Sequence, residues 1–216
     1  MPDLSESLLK IAVLTVPFLL AVIGHEVAHG VAALAFGDPT ARDAGRLTMN
    51  PVRHMDKAGT VVFVLTALFT PFVFGWAKPV PINPYRFRRF RAGLLVVSAA
   101  GAAANFLMAA LALLAFRLLP RPEAAGLYAQ YLFQPASNII FYTILVNVFI
   151  GVFNLLPIPP LDGSNIVASL IPRTWAAHYL RIGRYGILLI FVLFYANVFD
   201  TIFNPVLHFL DSLLFQ

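Results

Sequence analysis

The sequence predicts an all-α polytopic membrane protein. It is read as a bundle of about four full spans, plus a re-entrant or fifth span and a short membrane-associated β element after the first span. Three observations carry that reading. Of 216 residues, 60% are hydrophobic and 12% charged, and the mean hydropathy is +0.81. Ten acids and 15 bases cannot coat a soluble domain of this size, so lipid must solvate most of the exterior. The apolar residues fall in runs long enough to cross a bilayer, and the bases fall between those runs.

The first run, Ser5 to Phe36, is broken by proline only at Pro17. About 30 helical residues measure roughly 45 Å, more than the ~30 Å hydrocarbon core. Gly37-Asp38-Pro39 stops it. It lacks a basic leader and a small-residue cleavage site, so it reads as a span and not as a signal peptide. Residues 38–57 are polar, with β-like stretches such as Arg46-Leu47-Thr48-Met49. A second apolar stretch runs from Gly59 to Trp76 and contains Pro71. Residues 77–91 are basic and rich in proline, hence an irregular loop. The third span, Ala92 to Leu119, is rich in the small residues that let membrane helices pack closely. A fourth runs from about Ala136 to Leu156 and a fifth from about Tyr185 to Leu210. No repeat, low-complexity tract or second domain interrupts residues 1–216, which read as one membrane-embedded domain.

Twelve of the 15 bases lie in three segments. Arg42, Arg46, Arg53 and Lys57 occupy the first, and Lys78, Arg86, Arg88, Arg89 and Arg91 the second. Arg173, Arg181 and Arg184 occupy the third. The positive-inside rule places all three in the cytoplasm, which suits a plasma-membrane protein. Residues 59–76 would then dip into the membrane and return; a full span, the alternative, leaves one basic loop outside. The net charge of +5 therefore reads as topology signal and headgroup contact, not as nucleic-acid binding. The absence of cysteine excludes thiol catalysis, disulfides and thiolate metal sites.

Chemistry enters in the first span, at His25-Glu26-Val27-Ala28-His29. Histidines four apart share one helix face and reach a single ion, while Glu26 reaches a water beside it without ligating. A glutamate in mid-membrane costs a few kcal/mol unless it is used. Catalytic zinc takes three protein ligands, and Asp162 is the candidate third. It follows the proline-broken end of the fourth span, Asn154-Leu155-Leu156-Pro157-Ile158-Pro159-Pro160-Leu161. Both halves of the site then fall at one depth, toward the cytoplasm. An ordinary turn aspartate before Gly163 is the other reading.

These pieces together resemble the site-2 protease family of intramembrane metalloproteases, in its compact form without a PDZ domain. The matching stretches are His25 to His29, Gly37 to Arg42, Gly45 to Pro51, Phe74 to Pro81 and Asn154 to Gly163. The resemblance implies one zinc ion per chain, held by His25, His29 and Asp162, with Glu26 as catalytic base. It implies hydrolysis of peptide bonds in transmembrane protein substrates, as in regulated intramembrane proteolysis. Two departures stand out. Gly101-Ala102-Ala103-Ala104-Asn105 lacks the family's proline after the glycine, and Asp162-Gly163-Ser164 replaces Asp-Gly-Gly. Asn105 reads either as a donor to substrate or oxyanion or as a helix–helix contact. Asn154 reads as an orienter of Asp162, a substrate contact or a cap. His54 and Asp56 read as a solvated loop pair, and Asn147 as an intramembrane amide without an assigned partner.

Two other classes compete. A metal transporter would use the same histidines as a transit site, but spans three and five offer few polar residues for a path. A catalytically silent homologue would bind membrane proteins without cutting them, against which stands the intact Glu26. The sequence assigns no oligomeric state.

Overall fold

The computed structural model describes residues 4–70, 73, 75–119 and 127–215. Pro71 and Phe74, which figure in the sequence reading, lie outside the described residues. The chain forms α1 (Leu4–Ala35), the short α2 (Thr40–Asp43) and α3 (Pro51–His54), and α4 (Lys57–Phe69). It continues through α5 (Phe90–Leu118), α6 (Leu127–Leu155), α7 (Asp162–Leu170), α8 (Arg173–Arg181), α9 (Gly186–Tyr195) and α10 (Val198–Phe215). Four helices among the described residues are long and apolar enough to cross a membrane: Ile11–Ala35, Phe90–Leu118, Gln134–Leu155 and Arg173–Tyr195. With the breadth of exposed apolar side chains, this makes the chain a multi-pass membrane protein whose outer surface contacts lipid.

Helices α1, α5 and α6 form the centre, with α5 antiparallel to the other two. Small residues bring them together. A Cβ on Gly24 would lie 2.7 Å from Met108 Cε, and one on Gly151 would lie 2.9 Å from the Phe106 ring. Without a hydrophobic drive between helices in lipid, such close packing and interhelical hydrogen bonds hold the trio. Asn105 supplies the bonds. Fully buried, it donates from Nδ2 to Ala21 O of α1 at 3.0 Å and to Asn147 Oδ1 of α6 at 2.9 Å. Asn147, whose partner the sequence did not reveal, is therefore the α6 end of a three-helix polar clasp.

The expected β element is absent: no strand occurs among the described residues. Residues 40–46 satisfy their backbone locally instead. Ala44, Gly45 and Arg46 N–H groups donate to Thr40, Arg42 and Ala41 carbonyls, and Gly45 takes the left-handed φ of +63° that ends the turn. The β-like stretch Arg46 to Met49 anchors by side chains, not by a ladder, with Leu47 packed over Gly30. Asn50 then caps α3 through Val52 N–H. The solvated reading of His54 is also corrected. It is buried, donates from Nε2 to Thr48 O at 2.8 Å, and faces Arg46, while Asp56 caps α4 through Gly59 N–H at 2.8 Å.

Helix α4 has 13 residues, about 20 Å, too short to cross. The chain returns to where it started: Lys78 N–H donates to His54 O at 2.8 Å, and a Cβ on Gly59 would strike Trp76 O at 2.2 Å. The start of α4 and the residues that follow the excursion, Trp76 and Lys78, therefore lie side by side. Beyond them the extended stretch 77–83 is stitched to the core. Asn83 N–H donates to Asp38 Oδ2 at 2.6 Å, and Asp38 Oδ1 accepts from Thr40 N–H at 3.1 Å and from the Thr40 hydroxyl. Burial opposes ionisation of Asp38, but these donors outweigh it and hold the carboxyl below its usual range.

The fifth span differs from expectation. The apolar helix runs 173–195 through a 3₁₀ stretch at 182–185, and the chain turns at Asn197, with φ of 55°. An asparagine tolerates that left-handed conformation where most residues do not. Helix α10 then packs on α6, with Phe203 stacked on Phe149 at 4.3 Å and Phe199 tilted on Phe153 at 5.9 Å.

Candidate metal centre

His25 and His29 lie one turn apart on α1, aimed at the side of α5 that carries Gly101. Asp162, 133 residues beyond His29, opens α7. The three meet. Asp162 Oδ2 lies 3.0 Å from both Nε2 atoms, and the two Nε2 atoms lie 2.9 Å apart.

The far side of each ring decides what this cluster is. His29 Nδ1 lies 2.6 Å from Val97 O, a carbonyl that can only accept, so Nδ1 carries the proton. His25 Nδ1 lies 2.6 Å from Asn105 Oδ1. The Asn105 amide is oriented by its two donations, so its oxygen also accepts. In the neutral imidazoles this assignment leaves both Nε2 atoms with bare lone pairs. Two lone pairs and a carboxylate oxygen then converge with no donor among them, an arrangement that is repulsive without a cation. Edges near 3 Å match neighbouring ligands on a tetrahedral ion with bonds of about 2.0–2.1 Å, which sit roughly 3.3 Å apart. The donor set of two imidazoles and one carboxylate suits zinc, and these three residues form a group able to hold a metal ion.

Gly101 completes the cradle. A Cβ there would lie 2.5 Å from His29 Nε2 and from His25 Cε1 and 2.6 Å from His25 Nε2, so only glycine leaves room for both rings. Gly163 does a similar job behind Asp162. Its Cβ would strike Leu155 O at 2.3 Å and Leu156 O at 2.4 Å, so only glycine lets α7 start this close to the end of α6. The sequence named neither role. A glycine four residues before a buried asparagine was the available signal for the first.

Glu26 projects beside the cluster, and its Oε2 accepts from Val80 N–H at 2.6 Å. The stretch 77–83 thereby fixes one carboxylate oxygen and leaves Oε1 without a protein donor among the described bonds. Of the other expected site residues, Asn105 touches His25 from behind, with both donors committed inside the bundle. Asn154 donates to Ile150 O one turn back at 3.0 Å and makes no described bond to the cluster.

A helical, multi-pass membrane protein with a His-Glu-x-x-His pair closed by a distant aspartate is by construction a candidate membrane metallohydrolase. Comparison with known proteins gives the family. Residues 122–196 match the model of Peptidase family M50. A Bacillus subtilis protein named "Putative zinc metalloprotease YwhC" is 34% identical over 196 residues, covering 90% of this chain and 85% of its own. The Mycobacterium tuberculosis H37Rv protein named "Putative zinc metalloprotease Rip2" is 30% identical over 202 residues, covering 91% of this chain and 71% of its own. No solved structure matches. The chain belongs to peptidase family M50 and is a membrane zinc metalloprotease.

Proposed function

We propose that the protein hydrolyses peptide bonds within or near transmembrane segments of other membrane proteins, the chemistry of regulated intramembrane proteolysis. The observation that carries this reading is the convergence of two imidazole Nε2 atoms and a carboxylate oxygen, 2.9–3.0 Å apart, inside a bundle exposed to lipid. In it His25, His29 and Asp162 hold the zinc and Glu26 is the base. Zinc bound there supplies Lewis acidity and makes water a competent nucleophile near neutral pH. Glu26 Oε1 takes the proton from the attacking water, and Oε2 stays fixed by Val80 N–H. As the C–N bond breaks, Glu26 returns that proton to the leaving amine nitrogen. Asn105 and Val97 O keep both rings in the tautomer that bares Nε2. The basic loops 37–57 and 77–91 support a site toward the cytoplasmic face of the plasma membrane.

The test compares purified wild type with Glu26→Gln for zinc content and for cleavage of labelled transmembrane peptides. One zinc per chain in both, with turnover reduced at least about 10³-fold in the variant, is expected. Turnover retained by Glu26→Gln removes the assignment. Zinc without cleavage in either favours the transit site or the silent homologue, which metal flux in liposomes separates.

A further inference from the structure

On the face formed by the first two basic loops lies an open cavity of about 470 Å³, lined by Ala44, Arg46, Val52, Arg53, Lys78, Pro79 and Pro81. Three of these residues are cationic, and none pairs with an acid among the described residues. Arg46 is the unusual one. It is only 7% exposed, yet its Nε is the one buried side-chain nitrogen or oxygen among the described residues with no hydrogen-bond partner. Its Nη2 donates to Lys78 O at 2.6 Å and faces His54 Nδ1 at 3.5 Å. Neither partner is a carboxylate: Lys78 O is a carbonyl dipole, and His54 Nδ1 belongs to a ring whose Nε2 donates to Thr48 O.

A buried guanidinium answered only by dipoles is costly, and a missing counter-charge is the usual explanation. The nearest acids are otherwise engaged: Asp43 pairs with Arg42 at 3.0 Å, and Asp56 caps α4. Arg53 and Lys78 stand exposed at the rim of the same cavity. A planar fork beside two mobile cations suits a phosphate group, which offers oxygens to all three. The segment's basic flanks put the cavity where anionic headgroups lie.

We infer that this cavity binds a phosphate-bearing anion, held by Arg46 at its base and by Arg53 and Lys78 at its rim. The cavity lies close to the catalytic machinery. Its wall residues Pro79 and Pro81 flank Val80, whose N–H holds Glu26, and Arg46 ties down the carbonyl of Lys78. An anion that draws on Arg46 therefore acts on the stretch that orients the base.

The test is the thermal midpoint of the purified full chain in neutral detergent. It is titrated with inorganic phosphate in one arm and phosphatidylglycerol in the other, with phosphatidylcholine as reference. A saturable rise is expected. Its half-saturating concentration should increase at least about tenfold in Arg53→Gln/Lys78→Gln, the scale of one lost charge-assisted contact. It should stay within about twofold in the charge-matched Arg181→Gln/Arg184→Gln. The rim pair is used because losing Arg46 risks the fold. A response to phosphate assigns a free anion, and a response to phosphatidylglycerol alone assigns a lipid headgroup. No saturable rise in either arm, or equal loss in both variant pairs, overturns the inference. A response only to a glutamate-rich peptide also overturns it and gives the cavity to substrate carboxylates.

Discussion

The two halves of the metal centre are held by different means. His25 and His29 stand on a long helix and are aimed by hydrogen bonds to a neighbour: Asn105 Oδ1 and Val97 O each accept from an Nδ1–H. Asp162 stands at a helix start and is aimed by backbone contact, the approach of Gly163 to the Leu155 and Leu156 carbonyls. Orientation by hydrogen bond tolerates changes of volume but not of polarity; orientation by close approach behaves in the opposite way. The two halves therefore respond to different substitutions.

The largest effect falls where the halves meet. Gly101→Ala puts a methyl group 2.5 Å from His29 Nε2, so zinc per chain should drop from one to near zero while helical content by circular dichroism stays unchanged. Full zinc occupancy in that variant would detach the metal from the Gly101 side of the imidazoles. Next comes Gly163→Ala, which should weaken zinc binding by about 100-fold, the upper end for supporting groups, as read by chelator competition. Asn105→Ala should cost about tenfold or somewhat more, and Asn147→Ala less, because it acts only through Asn105. A reversed order would mean that the clasp serves the helices more than His25.

The smallest effect is away from the centre. The carboxyl of Asp38 is held below its ordinary value of 3.8, so its stabilisation is complete above that value and is lost as pH falls through the lower folded value. Asp38→Asn should cost about 1–2 kcal/mol near neutral pH, from weakened charge-assisted bonds to Asn83 and Thr40. The midpoints of the two proteins should converge as pH falls through the lowered folded value. A gap unchanged at low pH would mean that shape, not charge, holds the 77–83 stretch in place.

What could be read from the sequence was whatever a local pattern determines. The spans at 11–35, 90–118 and 134–155 follow from run length, and the pairing of His25 with His29 follows from the 3.6-residue repeat. The positions of the bases gave the expectation that residues 59–76 dip and return, and α4, with 13 residues, is too short to cross. Asp162 needed the resemblance to rise above an ordinary turn residue. What escaped depends on which side chains meet across helices. Val97 contributes a carbonyl, which no residue type announces, and Gly101 contributes the absence of a side chain. The β-like stretch Arg46 to Met49 misled because β-branched and apolar residues mark a strand only when a neighbouring strand supplies the ladder. Here Gly45 and Asn50 bound the stretch with turns. The break at Asn197 was hidden because the apolar composition continues across it.

The return of the chain to Gly59 at Trp76 has a consequence for side-specific labelling. Met49, before the excursion, and Tyr85, after it, are both exposed and lie on the same side of the bilayer only if residues 59–76 dip and return. With no native thiol in the chain, a cysteine at either position gives an unambiguous signal. After a dip, a reagent unable to cross the bilayer must modify both or neither, so two single replacements separate a dip from a crossing.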